Sequence, residues 1–211
     1  MSDDTYLPRY RPRFRPQLGR GTPVPGATRG SKDCNLRAFQ HALGKLTRDT
    51  AVPWVRHIRQ AMGRPGPTGT NLWDTRKAAR ELDGWMEQRG RKPVRAYLKF
   101  TRKAARQAVR KLRPLVMAVD YGEWNDLMGR TGDPNYRGGH AIFVLGQKRW
   151  ADGTIVWCVW DSLEDNRRNA IPQGPKWRPR WKVLKAARVW ADKTAPGAQL
   201  VACVVRGGGK R

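Results

Sequence analysis

Three side chains in this chain have the types and the separation that thiol chemistry needs: Cys34 in SKDCNLRAFQHAL, His140 in GGHAIFVLG and Asp161 in TIVWCVWDSL. A thiol is a weak nucleophile until it is a thiolate, and both a helix N-terminus and a neighbouring imidazolium stabilise that form. Cys34 opens a helix-like stretch directly after Asp33, a good N-cap residue. His140 begins one strand-like run, and Asp161 ends the next. A histidine so placed serves as base and then as acid toward a leaving group. An aspartate beside it orients the ring and fixes its tautomer.

These residues must be positioned by the elements around them. HAIFVLG (140–146) and TIVWCVWD (154–161) read as a hairpin around the Asp152-Gly153 turn. Opposing His140 to Asp161 centres that turn between Trp150 and Ala151, and directly opposed residues are close enough to interact. A slip of one residue would turn the acid to the other face. The spacing of Leu36, Phe39, Leu43 and Leu46 predicts a helix over 34–48 with one apolar face. Further helices are expected at 52–62, with Pro53 in the first turn, at 72–88 after an Asn71 cap, and from a Thr101 cap to Leu112. On the last of these, Ala104, Ala105, Ala108 and Leu112 form the buried side. Strands are expected at 94–100, at 115–122 as a central strand apolar on both faces, and at 199–206, with a late helix over 181–193. Residues 123–139 and 162–180 read as long loops. Helices first and a largely antiparallel sheet afterwards make an α+β domain.

The 211 residues suffice for one domain with a core. We divide them into a basic Pro/Arg-rich extended arm (1–30), a folded domain (31–206) and a basic tail (207–211). Forty-three Lys and Arg against seventeen Asp and Glu give a net charge of +26, which implies a polyanionic partner: nucleic acid, an anionic cell-wall polymer or an acidic protein surface. Proline favours an extended arm, lined by Arg9, Arg11, Arg13 and Arg15. Such an arm suits a phosphate backbone or a neighbouring subunit, and equally a solubilising tail. Between Arg89 and Arg113 there are eleven Lys and Arg and no acid, with Arg102, Lys103, Arg106 and Arg110 on the helix face opposite the alanines. Trp177, Trp181 and Trp190 alternate with further basic residues, a pattern that suits nucleic acid. Burial of such large rings is favourable enough that core is the preferred reading.

Three cysteines are an odd count without metal-site spacing, so neither a disulfide framework, a metal nor a cofactor is expected, and synthesis in a reducing cell interior fits. Cys158 and Cys203 sit in apolar runs as small hydrophobes. His41 and His57 read as structural or surface residues. No signal-like or membrane-spanning run is present, so no membrane association is expected.

On these residues the chain resembles the papain-like cysteine peptidases that cleave double-glycine leader peptides, and their relatives in tailed phages. The family's Asp-Cys is matched by Asp33-Cys34, its Gly-His by Gly139-His140-Ala141, and its Asp-Pro in part by Asp161-Ser162. The element order over 34–165 follows the family, and MGRPGPTGTNLWD is similar to phage proteins of this group, especially those of phages infecting actinobacteria. There are two departures. Thr28 stands where the family has an oxyanion-binding glutamine, and Asn35 where it has glycine after the cysteine. One oxyanion donor is worth about two to three orders of magnitude in rate. Asn35 is a possible substitute beside the Cys34 amide.

The resemblance implies a papain-like fold, synthesis in the host cytoplasm and a place in the virion. It implies a Cys34 thioester mechanism on a peptide or amide bond, with other phage structural proteins or a wall peptide as substrate. The alternative is an inactive structural component of capsid, neck or tail, whose arm and basic faces bind DNA and neighbouring subunits. A third reading is a nucleic-acid-binding protein in which the cysteine is incidental.

Overall fold

The computed structural model describes residues 34–207 except 48–52, 54, 65–68, 89, 91, 130–137 and 163–174. The arm, with Arg9, Arg11, Arg13, Arg15 and Thr28, lies outside the described residues, as do Asp33 and the last four residues of the basic tail.

Six strands form one sheet: β1 (Val94–Lys99), β2 (Leu115–Asp120), β3 (Gly139–Arg149), β4 (Ile155–Trp160), β5 (Lys176–Pro179) and β6 (Val201–Gly207). The spatial order is β1-β6-β2-β3-β4-β5, and each neighbouring pair is antiparallel. β2 is buried at every position, as its apolar side chains on both faces require. One face is covered by α1 (Cys34–Thr47), α2 (Val55–Ala61), α3 (Leu72–Glu81) and α4 (Asp83–Glu87). The other is covered by α5 (Arg102–Arg110), α6 (Tyr121–Leu127) and α7 (Arg180–Thr194). The architecture is α+β, with helices packed on an antiparallel sheet.

α1 departs from a one-faced helix. Leu36, Phe39 and Leu43 are fully buried, each contributing about 1.5–3 kcal/mol. Its polar residues Asn35, Arg37, Gln40 and His41 are buried too. Gln40 Nε2 donates to the Pro53 carbonyl at 2.8 Å, so Pro53 precedes α2 and holds α1 instead of starting a helix. His41 meets the Trp160 ring edge-on at 3.9 Å, a structural role.

The helix expected over 72–88 is two helices. Leu82, at φ −84° and ψ 0°, ends α3. Asp83 then turns to accept from the Val94 amide and the Arg95 guanidinium, anchoring the edge strand. The helix after Thr101 stops at Arg110, and Leu112 takes a left-handed φ of 52° and is only half-buried.

Two expected loops contain structure. β2 stops at Asp120, so Tyr121 and Gly122 of the expected strand belong instead to helix α6 (Tyr121–Leu127), which runs into the first expected loop and is begun by Asp120 Oδ1 accepting from the Glu123 amide. Lys176–Pro179 is edge strand β5, and proline ends it at the margin of the sheet, where it is tolerated.

The hairpin register also differs from the symmetric expectation. Phe143 faces Trp160 and Val144 faces Val159. A bulge at Leu145 follows, and Gly146 faces Cys158. β3 runs on to Arg149, and the turn is closed by Trp150 N donating to Thr154 O at 2.8 Å. Pairing near the site is therefore displaced by two residues from His140 opposite Asp161. A two-residue displacement preserves the alternation, so both side chains remain on one face and meet diagonally.

Candidate functional site

β2 and β4 end, and β3 and β6 begin, at the same end of the sheet. His140 is the second residue of β3, and Asp161 follows the last residue of β4. His140 Nε2 lies 2.6 Å from Asp161 Oδ1. That leaves Nδ1 free of the carboxylate, and Cys34 lies near enough to the ring to raise its pKa and lines the same cavity. The three residues named from the sequence are thus brought together, with the thiol at the first residue of α1.

All three are buried: Cys34 is 8% exposed, His140 3% and Asp161 1%. Burial alone lowers the His140 pKa, but the Asp161 charge and hydrogen bond, with a smaller contribution from Cys34, raise it to about 10. The imidazolium is the resting form of that ring at neutral pH. An imidazolium beside a thiol is the arrangement that stabilises a thiolate.

The second Asp161 oxygen is also satisfied. Trp124 Nε1, on α6, donates to Oδ2 at 2.7 Å. Trp124 is fully buried, so it fixes the carboxylate from the side away from the histidine. Asp120 ties the same end together: Oδ1 caps α6 at 3.0 Å, and Oδ2 accepts from Lys193 Nζ of α7 at 2.7 Å. Trp124 was hidden in the presumed loop, yet the sequence carries its signal. Asp120 and Glu123 have the spacing of a helix-start motif.

Cys34 and His140 line a cavity of about 200 Å³, walled by Leu72, Trp73, Ala118 and Trp190. Trp190 therefore serves as wall and core, as the burial argument favoured. A Cβ on Gly139 would overlap its ring, so only glycine permits this close approach. Trp177 also packs against the core, while Trp181 is 57% exposed.

Asn35 does not substitute for the missing glutamine. Its Nδ2 donates to Thr70 Oγ1 at 3.2 Å and to Asn71 O at 2.7 Å, and its Oδ1 accepts from Thr75 Oγ1 at 3.1 Å. It clamps the start of α1 to the start of α3 and has no donor to spare for an oxyanion. The Cys34 amide, at the first turn of α1, needs no partner within the helix.

Arg102, Lys103, Arg106 and Arg110 are exposed on α5, whose buried residues are Ala105, Ala108 and Val109. They belong to the opposite layer from α1. Among the described residues no group of His, Cys, Asp and Glu is arranged to hold a metal ion, and no helix is long and apolar enough to cross a membrane.

No protein-family model matches the sequence, and no curated protein does. Among solved structures, the chain is similar to the peptidase domain of Streptococcus ComA, a bi-functional ABC transporter involved in a quorum-sensing pathway. The identity is 9% and the TM-score 0.49, over 86% of this chain and 96% of that one. It is also similar to digestive procathepsin L 3 of the Tenebrio molitor larval midgut, at 11% identity and a TM-score of 0.46, over 97% of this chain and 76% of that one.

Proposed function

We propose that this chain is a papain-like cysteine peptidase or amidase that works through a Cys34 thioester. The observation that supports the reading is His140, which meets Asp161 at 2.6 Å through Nε2 and shares with Cys34 the wall of one cavity. The Cys34 thiolate attacks the carbonyl carbon of a bound amide. The His140 imidazolium gives its proton to the departing amine as the C–N bond breaks, leaving an acyl thioester. Neutral His140 then takes a proton from water, whose oxygen attacks the thioester. The acid leaves, and the thiolate–imidazolium pair is restored. Asp161 stays ionised throughout and holds the ring. The Cys34 backbone amide stabilises the oxyanion. The sequence resemblance supplies the setting, a tailed-phage virion, with a phage structural protein or a wall peptide as substrate.

One observation favours the second reading, an inactive structural component: the side chain after the cysteine is fully engaged in holding α1 to α3. The two are separated by incubating the chain with a diverse peptide library and reading new termini by mass spectrometry. We expect wild type to create new termini and Cys34→Ala to create none. If the two profiles are identical, the hydrolase reading fails and the scaffold reading stands.

A further inference from the structure

Between edge strand β1 and helix α5 runs a groove of about 90 Å³ lined by Tyr97, Lys99, Gln107, Arg113, Val204 and Arg206. Tyr97 pairs with Val204, which packs under α5, so the groove opens on the sheet face away from α1. It shares no residue with the Cys34 cavity.

We propose that this groove and the adjoining face of α5 bind a single strand of nucleic acid, with the phosphates held by Lys99, Arg113 and Arg206. None of these three cations pairs with a carboxylate among the described residues, and no acid lines the groove. Clustering half-buried like charges without counter-ions raises the energy of the free protein, and an anionic ligand relieves it. The Arg206 guanidinium lies 4.2 Å from the centre of the Tyr97 ring, a stacking that holds its donor fork in place. Lys111, one helical turn after Gln107 and exposed on the same side of α5, extends the cations beyond the groove. Several cations beside an exposed aromatic ring suit a repeating anion that carries bases better than the irregular surface of an acidic protein. Tyr97, 38% exposed, adds a flat apolar face. Bases stack on such faces. A phosphate-linked wall polymer has no bases to stack there.

The test uses the full chain and a fluorescein-labelled oligothymidine of about 20 nucleotides, longer than one such site. Anisotropy is read at several salt concentrations. Replacing Lys99, Arg113 and Arg206 together by Ala is expected to weaken binding at least about tenfold and to lower the log–log salt slope by about 2. Replacing Arg76, Lys77 and Arg80 by Ala removes the same charge from exposed positions on α3, and is expected to change affinity less than about twofold. Tyr97→Ala weakens binding and leaves the salt slope in place. Should the groove triple variant fail to fold by circular dichroism, Lys99→Glu alone gives the same comparison. Equal losses from the two triple variants would mean that net charge alone binds, and would overturn the site. A duplex of the same length binding as tightly, or a ribitol-phosphate polymer displacing the oligonucleotide at equal phosphate, would overturn the choice of ligand.

Discussion

Cys34 and the pair Cys158 and Cys203 are the same side chain in two surroundings. Cys158 and Cys203 lie mid-strand in β4 and β6, buried among apolar neighbours. Burial pushes both thiols up to about 12, despite smaller lowering effects from Lys45 near Cys158 and the Tyr97 backbone near Cys203. Cys34 is buried almost as deeply, but at the end of the sheet instead of its middle. There the strands stop, a helix begins, and the His140 ring held by Asp161 shares the cavity wall. Depth of burial does not distinguish the cysteines; the polar groups at the rim of the sheet do. The middle of a sheet offers no place for those groups, because its backbone donors are already paired.

The largest effect expected from this contrast is in thiol chemistry. At pH 7 a thiol of pKa about 12 is ionised in only about one molecule in 10⁵. Iodoacetamide should modify Cys34 and leave Cys158 and Cys203 untouched until the chain is unfolded, as read by peptide mapping. Modification of the three at equal rates in the native state would erase the distinction.

Next comes Asp161→Asn, which keeps the shape and removes the charge. A comparable change in a serine triad lowers kcat about 10⁴-fold, and a loss of that order is expected in the rate of peptide cleavage. Its stability signature depends on pH. The folded His140 pKa is raised above the usual 6.5, so the ion pair stabilises the fold fully below pH 6.5 and ceases to do so as pH rises through about 10. The melting-temperature gap between wild type and Asp161→Asn should therefore narrow across that window. A gap independent of pH would show that the aspartate matters only as packing.

What the sequence revealed about this site follows from which of its signals are local. The cysteine at a helix start and the two strands of the hairpin are written in adjacent residues, so their types and order were readable. The α5 cap at Thr101 and the apolar run 115–119 of β2 were readable for the same reason. The register was not, because the Leu145 bulge and the length of β3 are set by packing against β2 and β4. His140 and Asp161 still meet because the displacement was an even number of residues. α6 is seven residues long, with a glycine near its start and too few apolar positions for a periodic signal. β5 ends in proline and is held only along one edge. The role of Asn35 depends on α3, some 35 residues away in sequence, where no local pattern reaches.

The smallest expected effect concerns a residue that never faces the cavity. Trp124 does not line the cavity, and it donates to Asp161 Oδ2. Trp124→Phe keeps an aromatic ring in the core and removes the indole N–H. Losing a buried hydrogen bond to a charged acceptor costs about 1.5–3 kcal/mol, so a melting-temperature drop of several degrees is expected. If Trp124 merely fills space, activity should follow the folded fraction and nothing else. If it sets the carboxylate, kcat falls about tenfold in fully folded protein, KM stays where it was, and alkylation of Cys34 slows with kcat, because the same imidazolium serves both reactions. A variant that is less stable yet alkylates at the wild-type rate would confine Trp124 to the core. It would leave the 2.6 Å contact to Asp161 Oδ1 and the edge of Tyr121 to orient His140.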